Sequence, residues 1–189
     1  MPPRSVVLVE TGQPDSQLPD NCCQVVAILK QEDDLEAAIS QHQPDVVVLD
    51  LHSPSPLFFQ ALKQVQAQQP IPVVIFSRDD TRATIEQAIE AGVMSYVVDS
   101  INNQRIKPIL ETAISRFNHY RRLQQELQQA RTELADRKEI ERAKGILMEK
   151  KQLSEADAYQ LLRRTAMQQN RKLVDIARNI VSASELLFS

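Results

Sequence analysis

Glu10 with Thr11, Asp50, Ser77 and Asp99 each stand at or just past the end of a short apolar run: VVLVE (6–10), VVVLD (46–50), VVIFS (73–77) and SYVVD (95–99). If these runs are parallel strands, their carboxyl ends meet along one sheet edge, where an open α/β sheet holds its ligands and its chemistry. Carboxylates from neighbouring strands, Glu10 beside Asp50, would hold a divalent cation there, with magnesium the candidate. Such a metal offsets charge on a phosphoryl group moving to Asp50. A second set of residues is cationic: Lys144, Arg163, Arg164, Arg171 and Lys172, with Gly145 beside the first of them. Glycine inside a helix costs about 1 kcal/mol relative to alanine, so either a packed helix or an RNA backbone should come close at Gly145. The cations can contact phosphates or stack on exposed bases, although any one of them alone reads more readily as a solvated surface charge.

The elements that would position these groups follow from the hydrophobic pattern. The apolar runs VVLV (6–9), QVVAIL (24–29), VVVLD (46–50), VVIFS (73–77) and SYVV (95–98) are continuous and β-branched rather than alternating. Strands buried on both faces have this composition, which implies a parallel sheet covered by helices. Helices are predicted over 33–41, 57–68 and 81–91, with Pro44, Pro70 and Pro72 in the connections before strands and Gly92 suited to a left-handed helix end. The fold class expected is α/β: a doubly wound five-stranded parallel sheet, followed by a coiled-coil helix and a three-helix α domain. Between the first two runs, Pro14 and Pro19 interrupt the stretch ETGQPDSQLPDNCC, so a short helix or an irregular crossover is expected in place of a full first helix.

From about residue 103 the chain reads as one long helical stretch. Tyr120, Leu123, Leu127, Ala130 and Leu134 alternate at spacings of three and four, the seam of a short coiled coil, which predicts a dimer interface ahead of the alternative, a helix packed on its own domain. Ser154 is placed to cap a helix over 155–169 that buries Tyr159, Leu162 and Ala166, and a further helix over 172–182 would bury Leu173, Ile176, Ala177 and Ile180. Met148 and Met167 also fit core positions. The domain boundaries expected are 1–115, 116–136 for the linker helix, and 137–189.

Composition supports this division. The chain has 189 residues and a net charge of -3, yet residues 1–114 carry 7 Lys+Arg against 15 Asp+Glu while residues 115–189 carry 15 against 10. An acidic module followed by a basic one points either to a nucleic-acid reader coupled to a controlling domain or, as readily from charge alone, to a helical bundle that happens to be rich in Lys and Arg. No apolar run approaches the roughly 18 residues that span a bilayer, and the N-terminus lacks a signal-peptide layout, so a cytoplasmic protein is expected. The only two cysteines, Cys22 and Cys23, are adjacent and close no loop, so they are expected as reduced thiols. No Gly-rich phosphate loop is present, and His42, His52 and His119 are too widely spaced for a local metal site, which argues against an enzyme.

Over residues 4–115 the pattern resembles the receiver domain of two-component response regulators. That resemblance makes Asp50 the phosphoacceptor position, Ser77 the hydroxyl switch and Tyr96 the aromatic switch. Two positions depart from it: Glu10 is followed by Thr11 where receivers have a second acid, and Asp99-Ser100 stands where they have Lys-Pro. A carboxylate in place of that ammonium removes the group that reads the phosphate and repels it instead, so control by a partner protein is expected rather than phosphorylation. The run RAKGILMEKKQLSEADAYQLLRRTAMQQNRKLVDIARNIV resembles the ANTAR domain, through Ala143 to Met148, Ala158-Tyr159, Leu162-Arg163, Ala166-Met167 and Leu173, Ile176, Ala177 and Ile180. The order of modules is similar to that of the AmiR and NasT family of antitermination response regulators, the NasT branch above all.

The resemblance implies a dimer that binds paired hairpins of a leader RNA and stops a terminator from forming. It further implies regulated genes of nitrate or nitrite assimilation, and a ligand-sensing, NasS-like partner that docks on the receiver-like domain and coiled coil. Lys144, Gly145, Arg163 and Arg164 form the expected RNA face, with Arg171 and Lys172 beside them. The competing reading is a DNA-binding response regulator switched by phosphorylation of Asp50; it lacks a Gly-containing turn and an obvious recognition helix. A third is an adaptor whose basic tail serves assembly only.

Overall fold

The computed structural model describes residues 3–11, 18–19, 23–102 and 104–188. The apolar runs become five strands, β1 (Arg4–Glu10), β2 (Cys23–Leu29), β3 (Val46–Asp50), β4 (Val73–Ser77) and β5 (Ser95–Val98). They form one sheet in the order β2-β1-β3-β4-β5, every pairing parallel, with an irregularity between Val6 and Val7 where β1 meets β2. Val46 to Leu49 and Val73 to Phe76 are at most 1% exposed, as the unbroken β-branched runs require of strands covered on both faces.

Helices α1 (Leu35–His42), α2 (Pro56–Gln68) and α3 (Arg82–Glu90) pack on one face, where Phe58, Phe59, Leu62 and Val65 meet Val47, Leu49 and Ile75. Their starts are written locally. Asp34 accepts from the Ala37 N–H, and Ser55 accepts from the Phe58 N–H with Pro56 in the first helical turn. Gly92 adopts φ +90 straight after α3, a conformation that L side chains rarely adopt. The other face is covered by Ile106, Leu110, Ala113 and Ile114 at the start of α4 (Ile106–Lys151), together with Leu18. The short helix or crossover expected between β1 and β2, and the thiol of Cys22, lie outside the described residues. Cys23, on β2, is buried.

The chain divides into two compact units, Met1–Arg121 and Arg122–Ser189. The first runs a few residues past the expected boundary at 115, because Phe117 is still buried and the Arg121 guanidinium lies over its ring at 5.9 Å. In the second unit the expected linker and the first helix of the C-terminal domain are one element, α4, which continues without a break to Lys151. α5 (Glu155–Gln168) starts at Ser154, whose hydroxyl accepts from the Asp157 N–H, and α6 (Leu173–Phe188) extends past the expected end at 182. Ala143 and Leu147 of α4, Ala158, Leu162 and Ala166 of α5, and Ile176, Ala177 and Val181 of α6 make a small core. Ion pairs Arg142–Glu185 at 2.7 Å and Arg178–Asp136 at 2.6 Å tie α6 to α4 around it.

Three expectations about this core are corrected. Tyr159, Met148 and Met167 are 41%, 38% and 72% exposed rather than buried. Each follows a core residue, Ala158, Leu147 and Ala166, by one position, and one residue turns about 100° around a helix, which carries the larger side chain off the packed face.

Candidate nucleic-acid interface and receiver cleft

In the first unit the strand ends meet as the sequence requires. Glu10 and Asp50 are register partners at the ends of β1 and β3, and with Thr11, His52, Ser77, Arg78 and Asp99 they line a cleft of about 280 Å³. The Thr11 hydroxyl and His52 Nδ1 lie 3.2 Å apart at its rim. Among the described residues no group of three metal-ligating side chains stands together, so Glu10 and Asp50 form a two-carboxylate pair without the third protein ligand of a built metal site. Asp99, at the position that departs from receivers, lines this same cleft, and its carboxylate accepts from the Ser100 N–H at 2.8 Å.

Ser77 and Tyr96, the expected switch positions, are joined through Asp79, a loop residue that the strand-end pattern does not mark. The Asp79 N–H donates to Ser77 Oγ at 3.1 Å, while the Tyr96 hydroxyl donates to the Asp79 carbonyl at 2.8 Å. Ser77 is 2% exposed and also donates to the His52 carbonyl at 3.1 Å. The Asp79 carboxylate accepts from the Thr81 N–H and the Thr84 hydroxyl, bonds that hold its pKa below the ordinary aspartate value. Burial is the main cause that raises the Tyr96 phenol. Asp79 thus orders the β4–α3 loop with its backbone and side chain together. The run Asp-Asp-Thr-Arg-Ala-Thr (79–84), which leads into the first turn of α3, is the available signal for it.

In the second unit the expected RNA residues separate into two groups. Arg163, Arg164, Arg171 and Lys172 are all exposed, and none is in an ion pair among the described residues. They occupy α5 and the turn that follows, where Asn170 takes φ 50. Lys144 does not belong with them. It is only 7% exposed, and its ammonium lies 2.7 Å from Glu155 and 2.9 Å from Glu141. The Glu155 hydrogen bond, and then that of Glu141, raise the Lys144 pKa, and the same ammonium lowers that of Glu155. A charge so enclosed supports the α4–α5 corner instead of reaching for a phosphate, which corrects the expectation for Lys144.

Gly145 is exposed, and nothing lies within 4 Å of the position a Cβ would take. Helix packing therefore does not account for this glycine within the chain. The seam residues Tyr120, Leu123, Leu127 and Leu134 are 54%, 48%, 47% and 56% exposed, and Ala130 is exposed with them, so the apolar stripe of α4 is uncovered in the single chain.

The sheet order and the cleft at its carboxyl edge define a receiver fold. The signal receiver domain of a modulated diguanylate cyclase from Desulfovibrio desulfuricans G20 matches it with a TM-score of 0.53 at 16% identity, over 62% of this chain and 98% of that one. Residues 15–111 match the response regulator receiver domain and residues 128–181 the ANTAR domain. The transcriptional regulatory protein PdtaR of Mycobacterium tuberculosis is 30% identical over 140 residues, which are 74% of this chain and 68% of that protein. The chain belongs to the response regulators that join a receiver domain to an ANTAR domain. The nitrate regulatory protein of Klebsiella oxytoca is 33% identical over 88 residues, 47% of this chain and 22% of that one. No helix among the described residues is long and apolar enough to cross a membrane.

Proposed function

We propose that this protein is a transcription antitermination regulator that binds hairpins of a leader RNA. The observation that carries the reading is the set of four exposed, unpaired cations on α5 and its following turn, in a unit whose other interhelical cations, Arg142, Lys144 and Arg178, are consumed by carboxylates. Loops of RNA expose bases that duplex grooves hide, and a short helix with two open arginines, followed by a turn with two more cations, suits such a target better than a deep A-form groove. The domain division into a receiver, a linker helix and an RNA-binding unit belongs to the same reading.

The protein acts as a homodimer through the uncovered seam of α4, so that two copies take two hairpins and keep the terminator from forming. Its control comes from a ligand-sensing partner, NasS-like in kind, rather than from Asp50 phosphorylation, because Asp99 opposes a phosphate in the cleft. The nitrate regulatory protein among its relatives supports nitrate or nitrite assimilation as the regulated process, and the cytoplasm is where such a regulator meets nascent RNA. Transcription in vitro through a leader with two hairpins, the second overlapping a terminator, tests this. The full chain should raise read-through; read-through that stays at the level of the protein-free reaction contradicts antitermination.

A further inference from the structure

At the amino ends of β1, β3 and β4, on the sheet edge opposite the Asp50 cleft, the first unit carries a second and larger cavity of about 670 Å³. Its deeper lining is apolar, with Ile39, Ile71, Ile114 and Phe117 all buried. Side-chain hydrogen bonds hold its walls in place. The Asp45 carboxylate accepts from the Ser5 N–H and hydroxyl at 2.9 Å, which ties the turn before β3 to β1. The Gln66 amide donates to the Ile71 carbonyl at 2.7 Å and accepts from the Ile71 N–H at 3.1 Å, which ties the turn before β4 to α2. Arg4 donates twice to Glu111 at 3.2 Å, which ties β1 to α4. The cavity is therefore formed before anything enters it, in the size range of small-molecule sites.

Three polar side chains of this lining have no hydrogen bond or ion pair among the described residues: the Gln43 and Asn118 amides and the Arg121 guanidinium. The guanidinium lies over the Phe117 ring at 5.9 Å. Gln43 is also held at φ 44, a left-handed conformation that glycine takes at lower cost, and such strain persists where a side chain serves a ligand. A guanidinium and two carboxamides are donors suited to a carboxylate, and the apolar lining suits the body attached to it. Arg4 adds no free charge, being paired with Glu111, while the Asp45 carboxylate in the wall repels a second negative charge. Phosphates and dicarboxylates are thereby disfavoured. We propose that this cavity is a binding site for a small monocarboxylic acid with an apolar body. Arg121 pairs with the carboxylate, Gln43 and Asn118 donate to it, and the buried side chains beneath hold the apolar body. Ile114, Phe117, Asn118 and Arg121 belong to the stretch of α4 that carries Tyr120, the first residue of the seam, so the ligand braces α4 where the seam begins. The site needs neither Asp50 nor the C-terminal unit.

The test records amide proton–nitrogen correlation spectra of the full chain during titration with benzoate, phenylacetate and isovalerate. Benzamide serves as the neutral counterpart, and succinate and inorganic phosphate as the more highly charged ones. At least one monocarboxylate should shift the Gln43 and Asn118 side-chain signals saturably, and the three comparison compounds should bind at least about fivefold more weakly. R121Q should weaken that monocarboxylate by about 5- to 15-fold, the loss of one charge-assisted hydrogen bond at an exposed site. Q43G should weaken it by about 2- to 10-fold, the range of one neutral hydrogen bond. The same Q43G should raise the melting temperature of the free chain, because glycine takes this backbone conformation without strain. A saturable response to none of the three monocarboxylates would overturn the site. Benzamide binding as tightly as benzoate would overturn it too, as would native affinity in both R121Q and Q43G. Shifts confined to residues of the Asp50 cleft would place the acid there and equally overturn the proposal. Neither variant touches the C-terminal unit, so failure of this site leaves the RNA reading as it stands.

Discussion

The Lys144 ammonium and the Glu155 carboxylate lie 2.7 Å apart, joining the last turns of α4 to the first turn of α5. Lys144 is the one charged residue buried among the described residues, and Glu141 completes its enclosure. Lys144→Met should lower the melting temperature of the C-terminal unit by a few degrees, because two carboxylates then face each other without a cation. Lys144→Arg should recover part of the loss. Circular dichroism melting of the full chain measures both, and a Lys144→Met variant that melts with the native protein would contradict a structural role.

The same pair sets a pH dependence. Glu155 is held below the ordinary carboxylate value, so its contribution is present above that value and is lost as pH falls through the lowered one. Lys144 is raised, so its contribution is present below the ordinary lysine value and is lost as pH rises through the raised one. The melting difference between the native chain and Lys144→Met should stay constant from about pH 6 to pH 9 and shrink below about pH 4. Melting curves of both proteins across this range check it.

Tyr96 donates to the Asp79 carbonyl at 2.8 Å, and the N–H of the same Asp79 donates to Ser77. Tyr96→Phe deletes one end of this relay and should destabilise the first unit by about 0.5–1.5 kcal/mol, the net worth of one hydrogen bond. Urea unfolding should show the loss in the midpoint with an unchanged slope.

Asp99 shares the cleft with Asp50 and Glu10, three carboxylates where a phosphate would have to sit. Acetyl phosphate should therefore change neither the oligomeric state nor the RNA affinity of the native chain. Asp99→Lys should increase the stability of any label on Asp50. Durable labelling of native Asp50 that shifts dimerisation or RNA binding would refute control by a partner.

Leu123 and Leu127 are nearly half exposed along the α4 seam. Leu127→Asp should abolish dimerisation, since it places a charge at a position that two helices would otherwise bury. Sedimentation equilibrium reads the outcome. A monomeric native chain at micromolar concentration would remove the seam as a dimer interface.

The sheet was legible because its signal is redundant: β3, β4 and β5 begin and end at the residues their apolar runs marked. Each run is bounded by proline, glycine or a polar residue, and a strand buried on both faces admits little else. The site was less so. Composition identified the cations, but only the fold separates Arg163, Arg164, Arg171 and Lys172 from Lys144, because Glu155 lies eleven residues away in sequence and across a turn. Tyr159 and Met167 fit a helical spacing that includes the core, and a pattern of period 3.6 does not distinguish a core position from its neighbour when alanine, here Ala158 and Ala166, fills the core. Asp79 is not marked by a strand end: it sits in the loop beyond β4, and its bonds to Ser77 and Tyr96 exist only in the folded chain.

The four open cations are expected to read RNA. Equilibrium binding of the full chain to a two-hairpin RNA and to duplex DNA of equal length, across a range of salt concentrations, tests it most directly. RNA should bind the more tightly, with an affinity that falls steeply with salt, and replacing Arg163 and Arg164 by Ala should weaken it and flatten the slope. Tight, salt-sensitive binding to duplex DNA with none to the hairpins would contradict it.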